Sequence, residues 1–443
     1  MKQEDIVAIA TAAGTGGVAV IRVSGSSPLA YAEKTFRPSG KVAVKNFEPY
    51  RMYPGEFDAG GFKDFGLCVY FRAPRSFTGE DVVEFHLHGG TGIANGAVRR
   101  LTELGCRPAG RGEFTKRAFL NGKLSLSSAE GLIAMINGES ESEIRAGYSL
   151  YIERLKEKID NIRNALKAVL ADFGAHLDYP DEVEEDGVRE RALAAVSAAE
   201  REISALLASY FTGRKLAGGV KVGIVGRPNT GKSSLLNALL SYEKAIVSAA
   251  AGTTRDVVEG TLIVGGVKFE LKDTAGIRAA EDEAESMGVE RSRRVAEEAD
   301  VLLVVLDGSE QTRAEDEEIL SLTAGKNRII VSNKSDKGGA YGRADIVLSA
   351  KTGENIDKLK EMLFNSTVGK GVDPNGEFLS ERRHYDALSR ALAFLGNARA
   401  ERLPLEMAFS ETEAAWRALG EITGETASEE IVEEIFSKFC VGK

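Results

Sequence analysis

The spacing of apolar positions changes along the chain, and each change predicts a different element. Val18-Ala19-Val20-Ile21-Arg22-Val23 follows Gly14-Thr15-Gly16-Gly17 as a strand, and Val82-Val83-Glu84-Phe85-His86-Leu87-His88 alternates before Gly89-Gly90. Residues 1–118 therefore predict an α+β domain. Beyond them the period lengthens. Tyr151, Leu155, Ile159, Ile162, Leu166, Val169 and Phe173 recur at helical spacing with charged residues on the other face, and Leu193, Val196, Ile203, Leu206 and Tyr210 continue a second helix. Tyr385, Leu388, Leu392 and Leu395 predict another, and Ile431, Ile435 and Phe439 a last one. Between these stretches the pattern turns into short apolar runs: Lys221-Val222-Gly223-Ile224-Val225, Lys268-Phe269-Glu270-Leu271-Lys272, Val301-Leu302-Leu303-Val304-Val305-Leu306 and Arg328-Ile329-Ile330-Val331. The last two read as strands of a buried parallel sheet. Neither helical flank is long enough for an independent domain, and domain termini usually lie close together. The economical arrangement is one helical domain, residues 119–217 with 372–443, into which residues 218–371 are inserted.

The inserted block carries the chemistry. Gly226-Arg227-Pro228-Asn229-Thr230-Gly231-Lys232-Ser233 fits G-x-x-x-x-G-K-[ST] between a predicted strand and a predicted helix that opens with Ser234. In that context successive backbone N–H groups and the helix dipole make a phosphate cradle; without it the stretch would be an ordinary glycine-rich turn. Lys232 would reach the β- and γ-phosphates and Ser233 would ligate Mg²⁺. Downstream, Asp273-Thr274-Ala275-Gly276 leaves a strand where an Asp can hold the Mg²⁺ water shell and a Gly N–H can meet a γ-phosphate. Thr254, in the polar loop Gly252-Thr253-Thr254-Arg255-Asp256, could supply a second hydroxyl to the metal. Asn333-Lys334-Ser335-Asp336 ends another strand, and the Asp336 carboxylate can accept from N1–H and the 2-amino group of guanine, donors that adenine lacks there. A site left with that carboxylate unpaired rejects the wrong base by roughly 10⁴ or more. Ser349-Ala350-Lys351 would offer backbone N–H to O6. Together, in this order, these stretches predict a Ras-like P-loop GTPase domain.

The water-orienting Gln of Ras-like proteins is missing: Ile277 follows Gly276. Glu281, Asp282, Glu283 and Glu285 lie downstream, either as a replacement or as a solvated acidic loop. Asn229 could help hold a monovalent cation beside the phosphates, in place of an arginine finger, or simply favour the turn.

Composition narrows the setting. The 443 residues suit two to four domains; 43% are hydrophobic and 28% charged, as in soluble globular proteins. There is no run of 18 apolar residues and no signal peptide, so no membrane role is expected. Cys68, Cys106 and Cys440 lack metal-type spacing and favour a reducing cytoplasm. A net charge of −10 argues against a broad grip on nucleic acid, so any RNA contact needs a local patch or a partner. His86 and His88 have no third ligand at metal spacing, which leaves them a structural or ligand-contact role.

Gly14-x-Gly16-Gly17-x-x-x-x-Arg22-x-Ser24-Gly25, Ser76-Phe77-Thr78-Gly79-Glu80-Asp81, Arg111-Gly112-Glu113-Phe114-Thr115-Lys116-Arg117-Ala118-Phe119-Leu120-Asn121-Gly122-Lys123-Leu124 and Phe439-Cys440-Val441-Gly442-Lys443 extend the picture over the whole chain. With the GTPase motifs, they resemble the tRNA modification GTPase family MnmE (TrmE). The resemblance implies a multidomain α/β protein: an N-terminal α+β domain that binds a tetrahydrofolate derivative (5-formyl- or methylene-tetrahydrofolate) and forms a homodimer, a helical domain, and an inserted G domain. It implies a flavin-dependent partner, MnmG (GidA), in a heterotetramer or larger complex. Together the two add an aminomethyl or carboxymethylaminomethyl group to carbon 5 of the wobble uridine of certain tRNAs, with GTP hydrolysis triggered by G-domain dimerisation.

It further implies that Arg22, Glu84, Lys123 and Lys443 contact the folate. Asn229, Ser248, Ala250 and Thr253 would form a potassium site, and Ser233 and Thr254 would hold Mg²⁺. Asn229 to Ser234, Ser248-Ala249-Ala250-Ala251-Gly252-Thr253-Thr254, Asp273 to Gly276, Asn333, Lys334, Asp336 and Ser349 to Lys351 would bind GTP, and Glu285 would orient the attacking water. Cys440 resembles the family cysteine tied to modification chemistry, against a packing thiol. Leu87 departs from a glycine common before His88-Gly89-Gly90, which puts the shape of the folate pocket in question. Two other readings share the GTPase motifs: a ribosome-assembly GTPase, which would show an RNA-binding module or a second G domain, and a purely regulatory GTP switch.

Overall fold

The computed structural model describes residues 4–241, 260–273, 293–369, 378–400 and 403–443. They form two compact units: Met1–Ile133 with Leu150–Glu184 and Phe409–Lys443, and Ala134–Ser149 with Glu185–Ala408.

In the first unit the alternating segments pair as expected of period-two sequence. β1 (Ile6–Ile9), β2 (Val18–Gly25), β3 (Phe36–Pro38), β4 (Met52–Asp58), β5 (Lys63–Phe71), β6 (Asp81–His88) and β7 (Arg107–Pro108) make a seven-stranded sheet in the order β3-β4-β5-β6-β2-β1-β7. It is antiparallel apart from the β1–β7 edge. On one face Val7, Ile21, Val23, Phe57, Val83, Phe85 and Leu87 form a core with α1 (Pro28–Thr35) and α2 (Thr91–Glu103). One-residue alternation sends Arg22 and its cross-strand partner Glu84 to the other face. There α3 (Glu113–Leu120) covers β1 through Phe114, which packs with Ile6, Ala8 and Ala109.

The long segments of helical period form α4 (Leu126–Asn137), α5 (Glu141–Tyr151), α6 (Arg154–Asp178) and α7 (Glu185–Gly218). The helix expected from Tyr151 through Phe173 is interrupted: Glu153 adopts a φ of 65°, so α6 starts one residue later and buries Ile159, Ile162, Leu166, Val169 and Phe173. In α7 the expected Leu193 is exposed, while Ala192, Val196, Ala199, Ile203, Tyr210 and Gly213 are buried. Small residues decide that face because a neighbouring backbone comes close: a methyl on Gly213 would meet the Leu379 carbonyl.

In the second unit β8 (Val220–Val225), β9 (Gly260–Val264), β10 (Val267–Asp273), β11 (Val301–Asp307), β12 (Arg328–Asn333) and β13 (Ile346–Val347) form a six-stranded sheet ordered β13-β12-β11-β8-β10-β9. All of its pairings are parallel except β9–β10. Both faces are covered, one by α8 (Lys232–Ser241) and α10 (Ile356–Thr367), the other by the helix that carries Ile319 and Leu320, which is why β11 reads as continuous apolar sequence with every residue buried. α9 (Ala314–Leu322) follows β11. α11 (Arg382–Ala398) packs on α7, the Tyr385 and Tyr210 rings lying 4.3 Å apart. α12 (Leu405–Thr423) and α13 (Glu429–Ser437) complete the chain, and α13 joins α4 in a core of Leu126, Ala129, Val432, Ile435 and Phe436.

Candidate functional site

The parallel sheet delivers its loops to one edge. β8 runs straight into Gly226, and α8 begins at Lys232, so residues 226–231 turn tightly at the carboxyl end of a central strand, where open α/β sheets bind ligands. Two residues make the turn possible. Asn229 takes a φ of 65°, which Asn tolerates better than most side chains, and Gly231 has a φ of 94° with the Asn333 amide where a methyl would go. The Lys232 ammonium is buried and donates to the carbonyls of Gly226 (2.9 Å) and Arg227 (3.0 Å), and the Thr230 hydroxyl donates to the Arg227 carbonyl (3.1 Å). A buried cation above a helix N-terminus makes this concavity an anion site.

β12 brings the second motif alongside. Asn333 Nδ2 donates to the Thr230 carbonyl at 2.9 Å, and Asn333 Oδ1 accepts the Ala350 N–H at 2.9 Å. One side chain thus ties the cradle to the Ser349-Ala350-Lys351 turn. Lys334, with a φ of 68°, donates to the Asn229 carbonyl at 2.7 Å and to Asp307 at 2.6 Å. Asp336 accepts from the Ser349 hydroxyl at 2.7 Å, which holds its carboxyl below the ordinary range. It is therefore ionised at neutral pH and offers its carboxylate oxygens as acceptors. Motif residues about a hundred positions apart in sequence are here joined by direct hydrogen bonds.

A different arrangement occupies the sheet of the first unit. Arg22 Nε lies 2.7 Å from Glu84, and His86 Nε2 lies 3.2 Å from the other Glu84 oxygen. Burial pushes Glu84 up, but the His86 hydrogen bond and the Arg22 charge outweigh it and hold the carboxyl below the usual range. The Arg22 guanidinium also lies over the rings of Phe77 (5.3 Å) and Phe114 (5.6 Å). Lys123 donates to the Pro74 carbonyl at 3.0 Å, on the loop that carries Phe77. The C-terminal segment docks in the same unit: Gly112 N–H donates to the Cys440 carbonyl, Val441 bridges Arg111, and a methyl on Gly442 would strike the Ile9 carbonyl. Cys440 is exposed and Lys443 follows it, half-buried. Leu87, 2% exposed, points into the α1–α2 core, away from the Arg22–Glu84 face.

Comparison with known proteins bears on the whole chain. Residues 5–123 match the family model "GTP-binding protein TrmE N-terminus" and residues 126–440 the model "MnmE helical domain". The tRNA modification GTPase MnmE of Thermus thermophilus is 40% identical over 450 residues, covering 100% of this chain and 99% of its own. That of Natranaerobius thermophilus is 38% identical over 464 residues, with 100% of both chains covered. This chain belongs to the MnmE family of tRNA modification GTPases. Among solved structures, Aquifex aeolicus Era bound to GDP.AlF4- is 31% identical over 42% of this chain and 69% of its own, with a TM-score of 0.27.

For this MnmE-family chain, the structure brings together Asn229, Thr230, Gly231, Lys232, Asn333, Lys334, Asp336, Ser349 and Ala350 by the bonds above, with Ser233 and Ser234 in the first turn of α8 and Lys351 exposed beside Ala350. Ser248, Ala249, Ala250, Ala251, Gly252, Thr253, Thr254, Thr274, Ala275, Gly276 and Glu285 lie outside the described residues, as does the side chain of Asp273. Sequence reasoning passed over Arg227, Asp307, Glu310 and Asp316, which no binding motif names. The available signal was an arginine inside the cradle motif and acids directly after an apolar strand. It also passed over His86 as the partner of Glu84. Among the described residues no helix is long and apolar enough to cross a membrane.

Proposed function

We propose that this chain is a potassium-activated GTPase that acts with a flavin-dependent partner, MnmG (GidA), at carbon 5 of the wobble uridine of certain tRNAs, adding an aminomethyl or carboxymethylaminomethyl group. The observation that carries the proposal is the union of the phosphate cradle and the guanine loop through Asn333, together with an N-terminal unit whose charged face lies far from them in sequence. In the domain reading, residues 1–118 bind folate and dimerise, residues 119–217 with 372–443 are helical, and residues 218–371 are the G domain; the setting is cytoplasmic.

Within the G domain Lys232 holds the β- and γ-phosphates, backbone N–H groups of residues 229–233 line them, and Asp336 selects guanine. Ser233 and Thr254 hold Mg²⁺, which neutralises charge on the phosphates when bound. The cradle fits a cation beside it: Asn229 holds a left-handed turn at its rim and carries an amide oxygen, a hard donor. Asn229, Ser248, Ala250 and Thr253 are assigned to potassium, which supplies the positive charge of an arginine finger across a G-domain dimer. Glu285 orients the water that attacks.

Glu84, ionised and flanked by Arg22, has the chemistry to accept the amino and ring N–H groups of a pterin, and Lys123 and Lys443 suit a glutamate tail. The donors fit a tetrahydrofolate derivative, which brings a one-carbon unit when bound. On the face bearing Glu84, β4 and β5 expose Met52 and Phe65, at 50% and 58%, an apolar surface that supports homodimer formation through this domain.

Mass spectrometry of wobble uridines tests the whole proposal. A strain lacking the gene should lose the modified base, the intact gene should restore it, and Cys440→Ser should fail to restore it while keeping GTP hydrolysis near normal. Unchanged wobble uridines in the deletion strain would end the proposal and favour a ribosome-assembly GTPase. A fully active Cys440→Ser gene would reduce that thiol to packing.

A further inference from the structure

The guanidinium of Arg227, 6% exposed, lies inside the protein, beside the cradle and between two carboxylates. Its Nε donates to Asp316 at 3.2 Å and its Nη2 to Glu310 at 2.9 Å. Asp316 is 2% exposed and also accepts the Arg313 N–H at 3.0 Å, which fixes it at the N-terminus of α9. Arg313 in turn reaches Glu310 at 2.8 Å. A few residues upstream Asp307 is tied by the Ser309 N–H (3.0 Å) and hydroxyl (2.6 Å), and its other oxygen receives Lys334. The stretch from Asp307 to Asp316 therefore holds Arg227 of the phosphate loop at one end and Lys334 of the guanine loop at the other.

We propose that Arg227 is a positioning residue for nucleotide binding, and that the segment Asp307–Asp316 braces both halves of the nucleotide site. The reason lies in the Arg227 carbonyl, which accepts from Lys232 and from Thr230. The Lys232 ammonium helps hold the loop in shape by bonding to that carbonyl and to Gly226. When phosphate oxygens draw on the same ammonium, those bonds weaken, and a loop held only by them would relax. The Arg227 side chain holds the same residue from behind through a planar fork on two carboxylates, independently of where the Lys232 ammonium points. Binding free energy is then not spent on re-ordering residues 226–230, which is the advantage of preorganisation. Lys334 plays the matching part on the base side, since its single ammonium joins Asp307 of the brace to the Asn229 carbonyl of the loop.

The inference rests on reading Gly226–Ser233 as the phosphate cradle, and the test separates the two. A fluorescent GDP analogue is titrated into the full-length protein and into its Arg227→Lys and Glu310→Gln variants. GTP hydrolysis and thermal melting are followed in parallel. Arg227→Lys keeps the charge but cannot fork to both carboxylates, so GDP binding should weaken about tenfold, the loss of one charge-assisted bond. KM for GTP should rise by a similar factor with a smaller change in kcat. Glu310→Gln should give a weaker effect in the same direction, and the double variant should fall short of the sum, as in a shared network. If Arg227→Lys does not fold, Glu310→Gln carries the test, because Glu310 is partly exposed and Asp316 stays paired. Parent-like GDP affinity in the folded variants, or a fall in kcat with KM unchanged, overturns the brace. Failure of the parent protein itself to bind GDP overturns the cradle.

Discussion

At the ends of β8 and β12 the nucleotide site is made of main chain held in unusual conformations: a left-handed Asn229, a Gly231 with no room for a methyl, and carbonyls that fix a lysine. On the sheet of the other unit the site is made of side chains on regular strands, where Arg22, Glu84 and His86 sit at ordinary pleat positions. The difference teaches what each can tolerate. A site shaped by such main chain fails when a Cβ is added at its bends, as well as when one of the few side chains that tie it together is changed. A strand site accepts changes of size at its margins and fails when a charge is removed.

Four experiments press on that contrast. Gly231→Ala should have the largest effect: strain at φ 94° and a clash with the Asn333 amide should weaken GTP binding by at least about a hundredfold, while leaving the first unit intact. Calorimetric titration of GTP would read it, and parent-like affinity would show that the cradle does not depend on main-chain geometry. Asp336→Asn should come next. With an amide in place of the carboxylate, GTP should bind about a hundredfold more weakly and xanthosine triphosphate should gain, since the amide matches a carbonyl. An unchanged order of GTP over xanthosine triphosphate in competition assays would remove the guanine role.

Glu84→Gln is the counterpart on the strand site. It preserves shape and removes charge, so 5-formyl-tetrahydrofolate should bind about tenfold more weakly, with GTP affinity unaltered. Equal folate affinity in equilibrium dialysis would take Glu84 out of the site. The smallest effect is on stability in acid. Burial works against ionised Glu113, but Arg107, the Gly110 N–H and Arg117 bind it and hold its carboxyl at about 2, against an ordinary 4.5. A depressed carboxyl stabilises the folded state fully above pH 4.5, and that contribution fades as pH falls from 4.5 through 2. Thermal melts of the parent over that window should therefore fall more steeply than those of Glu113→Gln. Parallel slopes would show that Glu113 is not coupled to folding.

How much of this could be read beforehand differs between the same two regions. Among the described residues, the phosphate loop and the Asn333–Asp336 motif were legible, because a tight phosphate loop admits few residues at its bends, and parallel buried strands must be apolar on both faces. Arg227 was not recognised, since its meaning depends on Asp316 and Glu310 some eighty or ninety residues later. In the first unit β2 and β6 were legible from alternation, but β1, β3, β4, β5 and β7 were not, nor was the pairing of Glu84 with His86 or of Arg22 with two aromatic rings. Of the helices, α6, α7, α8, α11 and α13 were read from period or motif, while α1 to α5, α9, α10 and α12 were not. Leu193 looked like a core residue by spacing, yet the neighbouring Ala192 and Ala199 are the buried ones.

By itself the amino-acid order determined β2, β6, the buried strands of the second sheet that run as apolar stretches, the long helices, the strand–loop–helix cradle, the Asn333–Asp336 motif and the membership of a GTPase class, because each follows from local sterics and from period. What only the tertiary structure decided is which distant residues meet. Asn333 closing over Thr230, Lys334 bridging Asn229 and Asp307, the acids gripping Arg227 and the C-terminal segment pairing at Arg111 are all contacts across long sequence separations. Such contacts depend on strand order and on close packing of the sheet, which no local pattern encodes: the sheet runs β13-β12-β11-β8-β10-β9, and chain order alone would not have set β8 between β10 and β11.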